Sequence, residues 1–472
     1  MRSARYHFSG IAGAGMHPLA LLMRARGHEV QGSDRSFDQG KNEHIAAGLR
    51  RLGIVLKPQD GRAVTRGIDR VVFSAAVEAD TPEMRAAREL GIALVPRPAL
   101  LAEVVNAGHP GIAIAGTSGK STITGMVAWI TRQAAVPATV LGGAALVGDG
   151  SGGCFLAGPP DGPVVVEACE SDGTLAGYRP MVGLIHNISR DHDELDALRA
   201  QFAAFAGNCT KLLVNAACAE AAPLGRVRGA LTYGAAPDAD APLRVGGAGP
   251  HRASGVLGLR STEIKLELPQ PGVHNLENAA AAALVAVELG IAPATVEGVL
   301  PRFPGVARRF EVIGTTAAGI RVVDDYAHNG QKIRAAMTTA QAGCDRLIAV
   351  FQPHGFGPAR FLRPELGELL PRLLRSQDRF CYLEIFYAGG NVTRDISSRM
   401  LTEDLPPRPG CGYAVDHAAA LRWIQSEARP GDTVLIMGAR DPALPRLARA
   451  VFGALQTDRS PGSDLSFTRR AS

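Results

Sequence analysis

The stretch Gly111–Trp129, GIAIAGTSGKSTITGMVAW, constrains the fold more than any other part of the chain. Ile112 and Ile114 predict a short buried strand, the Gly/Ser/Thr run a tight turn, and a helix is expected from Lys120. A small-residue turn ahead of a helix lets several backbone N–H groups converge on one anion, helped by the helix dipole. Lys120 adds a mobile cation for outer phosphates, and the Ser121 hydroxyl is placed to ligate Mg²⁺. The generic phosphate loop has a glycine where Ile114 stands, so AGTSGKST is a shorter form.

Such a loop needs a parallel α/β sheet around it, and 472 residues leave room for two to four domains. Apolar residues make up 46% and charged residues 20%, which describes a globular protein and not a disordered one. A net charge of +5 with scattered arginines forms no basic stripe, so nucleic acid is not an expected partner. The seven cysteines, Cys154, Cys169, Cys209, Cys218, Cys344, Cys381 and Cys411, show no CxxC pair and no metal spacing, as expected for reduced thiols. No apolar run approaches the roughly 18 residues of a membrane helix, and no signal-peptide pattern opens the chain. A cytoplasmic protein without a membrane partner is expected; nothing speaks to its oligomeric state.

A first α/β domain is expected over 1–108. A strand at Tyr6–Phe8 leads into Gly10, Gly13 and Gly15, then an amphipathic helix ended by Gly27, then a strand closing at Asp34. That is a Rossmann-like βαβ layout, with a diphosphate at the helix start and an acid near a ribose or base. A dehydrogenase would use the same glycines for NAD, but the second nucleotide loop at 116–121 argues against one.

A central domain is expected over 109–310. The Gly-rich segment LGGAALVGDGSGGC reads as a hairpin or mobile loop without chemistry of its own. VVVEACESD sets Glu167 and Glu170 at the end of a Val-rich strand, and MVGLIHNIS leads to Asp191 and His192 at the same edge. A carboxylate at a strand end beside a phosphate loop is an ordinary Mg²⁺ ligand, although such residues can also merely end buried strands. A third domain is expected over 311–455, with strand-to-loop units IRVVDDYAHNGQKIRAAM, RLIAVFQPHGFGPAR and TVLIMGARDPALPRLARAV, and a loose polar tail over 456–472.

The short loop, with EACESD, RPMVGLIHNISRDH, PGVHNLENAAAA, DDYAH and QPH in order, resembles the Mur ligases over roughly residues 6–455, most of all their alanine-adding branch. The resemblance implies three domains: a Rossmann-like N-terminal UDP-sugar domain, a central P-loop ATPase domain with a mixed sheet, and a Rossmann-like C-terminal domain. It implies an ATP- and Mg²⁺-dependent ligase that joins L-alanine or a related acceptor to the carboxylate of UDP-N-acetylmuramate through an acyl phosphate, in peptidoglycan precursor synthesis. Alternatives are a Mur-type ligase of a specialised pathway with another acceptor or acid, and a non-catalytic binding protein.

By position, the resemblance makes Gly13, Gly15, Asp34 and Ser74 candidates for the UDP-sugar. It makes Gly116, Thr117, Ser118, Gly119, Lys120, Ser121, Thr122, His274, Asn275, Asn278, Arg309 and Asp325 candidates for the nucleotide. Ser121, Glu167 and His192 become metal ligands, and Lys120, Arg309 and His328 the catalytic group, His328 as base or amine-orienting residue. His328, His354 and Arg360 fall at the acceptor, and chemistry over several domains implies closure before reaction.

The departures cluster at the acceptor. Ser118 replaces a histidine usual in alanine-adding enzymes, Cys169 an acidic residue, and Asn329–Gly330 a His-Pro pair. After QPH the family has Arg-Tyr-Thr-Arg-Thr-Arg, where this chain has Gly355-Phe356-Gly357-Pro358-Ala359-Arg360. An arginine fork suits an α-carboxylate, which glycine and proline cannot hold, so free L-alanine is expected to be a poor acceptor: either a larger amino acid or peptide uses the opened space, or Arg360 and other local arginines take over the carboxylate.

Overall fold

The computed structural model describes residues 3–74, 80–149, 153–171, 173–189, 194–227, 229–387, 393–405 and 410–457. The chain forms two compact units, residues 1–307 and 308–472, and its described residues make three sheets.

The first sheet has five parallel strands, Arg5–Ser9 at its centre flanked by Glu29–Ser33 and Arg70–Phe73, with Val55–Leu56 and Ala93–Pro96 at the edges. Strand order reverses beside Arg5–Ser9, and ligands bind doubly wound sheets beyond the strand ends at such a point. The first helix, Met16–Ala25, ends as expected at Gly27, whose φ of +85° suits the missing side chain.

The second sheet, also in the first unit, has ten strands. Gly111–Ala115 lies between Val182–Ile185 and Val164–Glu167, parallel to both. The three are apolar on both faces, as a strand covered by helices on either side must be. Three strands, Ala241–Ala248, Ala253–Gly258 and Glu263–Leu268, extend it in antiparallel pairing, which makes the sheet mixed. The last alternates exposed and buried residues, since only one of its faces meets the core. The Ala-rich helix Val273–Glu288 packs on the helix Lys120–Gln133 through small side chains, so the run is packing, as its composition suggests. Val104 and Val105, from the helix Arg97–Asn106, join one core with Ala113, Val164 and Phe202, so the first two sheets share buried surface.

The second unit holds a six-stranded sheet, parallel except for the edge strand Glu311–Thr315. Its central strand is the last in sequence: Thr433–Gly438 pairs with Arg321–Asp325 on one side and Leu347–Gln352 on the other. The last described helix, Leu444–Thr457, runs past the point where the tail was expected to begin, because its own Val451 and Leu455 are buried in the core with Val322, Val434 and Ile436 of the sheet. Among the described residues no helix is long and apolar enough to cross a membrane.

Candidate active site

The phosphate loop forms as its sequence predicts. The fully buried strand Gly111–Ala115 ends at Gly116, and Gly119 stands immediately before the helix Lys120–Gln133. Gly119 has φ of +84°, and a Cβ there would stand 2.5 Å from Asn278 Oδ1 and 2.9 Å from the His186 ring. Only glycine fits that backbone and that space. The helix start leaves its first amides without partners inside the helix, which is what an anion needs.

The Lys120 ammonium donates to Glu170 Oε2 at 2.6 Å and to the Gly116 carbonyl, both side chains being buried. Burial opposes its charge, but Glu170, with Glu167 behind it, more than offsets this and holds the ammonium above the ordinary lysine range. Ser121 Oγ donates to Glu167 Oε1 at 2.9 Å, and Gly143 N donates to Glu167 Oε2 at 2.9 Å. The Gly-rich segment expected to lack chemistry thus seats Glu167: its backbone closes on the carboxylate where the strand Thr139–Gly142 ends.

Two adjacent hard oxygens, one hydroxyl and one carboxylate, suit Mg²⁺. The third expected ligand, His192, lies outside the described residues, as does Asp191. Among the described residues no group of three or more His, Cys, Asp or Glu side chains gathers to hold a metal.

Asn187 was not anticipated. Its carbonyl accepts from Thr117 N at 3.1 Å, and its Oδ1 accepts from Ser118 N at 2.8 Å and from Thr117 Oγ1 at 3.1 Å. One residue therefore fixes the loop through backbone and side chain together. Next to it, His186 is buried against Gly119 and pairs its Nδ1 with Tyr233 Oη at 2.8 Å. Burial, aided by His274, holds its imidazole down at about 4. Asn275 donates to the Pro271 carbonyl at 2.7 Å and accepts from Asn278 at 3.4 Å. Asn278 Oδ1 is buried beside Gly119 with no partner among the described residues, an acceptor that a nucleotide donor would satisfy. Thr122 is buried in the first helical turn, Ser118 is half-buried, and His274 is exposed at the start of its helix.

In the first sheet, Gly13 and Gly15 form the expected turn, and Gly15 immediately precedes the helix Met16–Ala25. Arg97 lies over it, its Nη1 3.3 Å from where a Gly15 Cβ would stand, a cation the sequence reading did not single out. Ser74 follows the strand Arg70–Phe73 at the same edge. Asp34 has partners of its own. Its carboxylate accepts from Ala12 N at 2.9 Å and caps the short helix Arg35–Asp38 through Ser36 N at 2.9 Å, so it braces the glycine turn. Beneath the turn Glu83 is wholly buried, accepting from Ser9 and Ser33 and paired with His7.

In the second unit, Asp325 is likewise held by backbone amides. Phe310 N and Ala327 N each donate to one of its oxygens at 2.7 Å, so the carboxylate shapes the turn. Burial pushes its pKa up, opposed by Arg309. Arg309 lies over the Tyr326 ring, 4.6 Å from the centroid. Neighbouring Asp324 is pushed up to about 6 by burial, although Arg308 donates to it at 3.2 Å.

His328 Nδ1 lies 2.8 Å from the Tyr326 carbonyl and Nε2 3.4 Å from Lys332 Nζ. A carbonyl can only accept and an ammonium only donate, so the proton sits on Nδ1 and Nε2 keeps its lone pair. The His354 ring meets the His328 ring edge-on at 5.2 Å, bringing the two expected histidines together. The Arg360 guanidinium, expected at the acceptor carboxylate, is engaged by Asp395 and by the Thr393 carbonyl. The run Gly355–Arg360 opens the helix Phe356–Leu373 instead of forming a loop; Pro358 is tolerated because the first turn needs no amide there.

The model of the Mur ligase family catalytic domain matches residues 5–109, and that of the Mur ligase glutamate ligase domain matches residues 308–440. The chain is 36% identical over 459 residues to a UDP-N-acetylmuramate–L-alanine ligase of Kineococcus radiotolerans, covering 93% of this chain and 94% of that protein. The crystal structure of a UDP-N-acetylmuramate–alanine ligase from Thermotoga maritima superposes with a TM-score of 0.76 at 26% identity, over 96% of this chain and all of that one. A murein peptide ligase from Psychrobacter arcticus shares the fold, with a TM-score of 0.68 at 23% identity over 96% of this chain and 99% of that one.

Proposed function

The chain belongs to the Mur ligase family, and from that premise we infer that it is an ATP-dependent ligase joining an amino acid to the carboxylate of UDP-N-acetylmuramate, an early step in peptidoglycan precursor synthesis. The observation that carries this reading is the loop with its lysine and hydroxyl already seated against two carboxylates, Lys120 on Glu170 and Ser121 on Glu167. A merely binding descendant would have no need to keep that set together.

A carboxylate resists attack by an amine, so one of its oxygens must first become a phosphate leaving group. Transfer of the γ-phosphoryl group from ATP does this, and catalysis of it is positioning and charge neutralisation. Lys120 and the loop amides hold the phosphates, and Asn278 Oδ1 and Asn275 border the nucleotide. Ser121 and Glu167, with His192, would hold Mg²⁺, which supplies further neutralisation at the phosphates. Arg309 is assigned the same duty in the second unit. The UDP-sugar is assigned to Gly13, Gly15 and Ser74, with Arg97 as an added cation and Asp34 as a brace.

The amine of the acceptor then attacks the acyl carbon, phosphate leaves, and the amine's extra proton must go to a base. His328 is assigned that proton or the orientation of the amine, through Nε2. A UDP-linked substrate and ATP both place the reaction in the cytoplasm.

The test is ATP hydrolysis and product formation with UDP-N-acetylmuramate against a panel of amino acids and short peptides. ADP release that depends on both the UDP-sugar and an amine supports the ligase. Product formation with a different acid, and none with UDP-N-acetylmuramate, would move the chain to another branch of the family.

A further inference from the structure

The family's usual acceptor arginines are absent from Gly355–Ala359, and Arg360 is held by Asp395. A ligase that recognises an amino acid still needs a cation for its carboxylate. Among nearby described arginines, Arg363 is paired with Asp404 at 2.8 Å, and Arg399 lies over the Tyr413 ring at 5.5 Å.

Arg394 differs. Its guanidinium carbon lies 4.0 Å from the Tyr387 ring centroid and 5.9 Å from that of Phe356, and among the described residues it meets no carboxylate. The two rings stand 6.0 Å apart at 52°, an aromatic corner with the guanidinium laid on it. A guanidinium on a π-face is fixed in its plane while its N–H edge points away from the rings, the geometry for bidentate carboxylate capture.

The corner also stands beside the histidines. Gly355 N donates to the Phe386 carbonyl and Phe386 N to the Pro353 carbonyl, each at 2.8 Å, so the segments after two adjacent strands run side by side. This sets Tyr387 next to Phe356, two residues beyond His354, whose ring touches His328. Phe356 opens an 18-residue helix, whose positive end adds to the attraction for an anion.

We propose that Arg394, laid on Tyr387 and Phe356, anchors the carboxylate of the incoming amino acid in place of the missing arginines. The proposal rests on the ligase reading above and names its specificity-determining residue. The aromatic floor further suits an acceptor whose side chain is larger than a methyl group.

The test compares each amino-acid acceptor with its carboxamide, at saturating ATP and UDP-N-acetylmuramate. The native enzyme is expected to favour the acid by about 10- to 150-fold in kcat/KM, the worth of one charge-assisted bidentate contact. Arg394→Ala should remove that preference by raising the KM for the acid, leaving the KM values for ATP and UDP-N-acetylmuramate unchanged. Arg394→Lys, which keeps the charge and loses the fork, should fall between. Undiminished acid-over-amide preference in Arg394→Ala overturns the proposal while the ligase reading stands. No amide product from the native enzyme with any acceptor overturns the ligase reading, and this proposal with it.

Discussion

Lys120 Nζ and Glu170 Oε2 lie 2.6 Å apart at the mouth of the phosphate loop, both withdrawn from solvent. The loop thus carries its own counter-ion, and incoming phosphates must share or replace it.

Removing the lysine alone therefore does two things. Lys120→Ala should lower phosphoryl transfer on the order of 10²-fold or more, through loss of a preorganised charge. It should also destabilise the fold by about 3–5 kcal/mol, because Glu170 is left buried without a partner. Adding Glu170→Gln should recover most of the stability and none of the activity. Activity returning with stability in the double variant would show that Lys120 serves the fold alone.

Glu167→Ala removes the oxygen on which Ser121 leans. The Mg²⁺ concentration for half-maximal activity should rise at least several-fold, with a smaller rise for Ser121→Ala. A Glu167 variant with the parent's Mg²⁺ response would make that carboxylate a purely structural link between Ser121 and Gly143.

His186 gives a pH signature. Its imidazole titrates at about 4 in the folded chain, against about 6.5 when unfolded. Between those values the unfolded chain binds more protons, so stability falls as pH falls through that window. The loss should reach about 3 kcal/mol at most. His186→Gln, which can keep the Tyr233 contact, should flatten denaturation midpoints between pH 6.5 and 4. Identical pH dependence in the two proteins would place the acid sensitivity elsewhere.

Arg360→Ala should leave the acceptor KM within about twofold and cost no more than about 1 kcal/mol of stability, since its pair with Asp395 is half-exposed. A tenfold rise in acceptor KM would mean that the guanidinium leaves Asp395 when the acceptor binds.

What was legible in the sequence followed local rules. Strand, turn and helix at 111–133 could be read because buried β-residues, left-handed glycines and a helix start are written within a few residues of one another. The same holds for the glycine turn before Met16 and its Gly27 stop. The three sheets were legible because apolar runs alternate with amphipathic helices throughout. Pairings between distant residues were not. Asn187 reaches Thr117 and Ser118 across about seventy residues, and nothing around HNIS distinguishes it from an ordinary strand-end asparagine. The backbone partners of Asp34 and Asp325 were not legible for a related reason: a carboxylate after a strand can hold backbone amides, and which ones it holds depends on where the neighbouring turn falls. Arg360 and Arg394 could not be told apart until the fold gave one a carboxylate and the other a pair of rings.

The place of Thr433–Gly438 in the third sheet has a bearing on how the chain is made. A ribosome delivers this strand after every other strand of its sheet, yet it belongs in the middle. Until it emerges, Arg321–Asp325 and Leu347–Gln352 have no neighbour on their facing sides, and the nascent unit is two half-sheets with open, apolar edges. Completion of that unit therefore waits for residues 433–438, and a truncation ahead of residue 433 should yield chains that aggregate instead of folding with a missing edge.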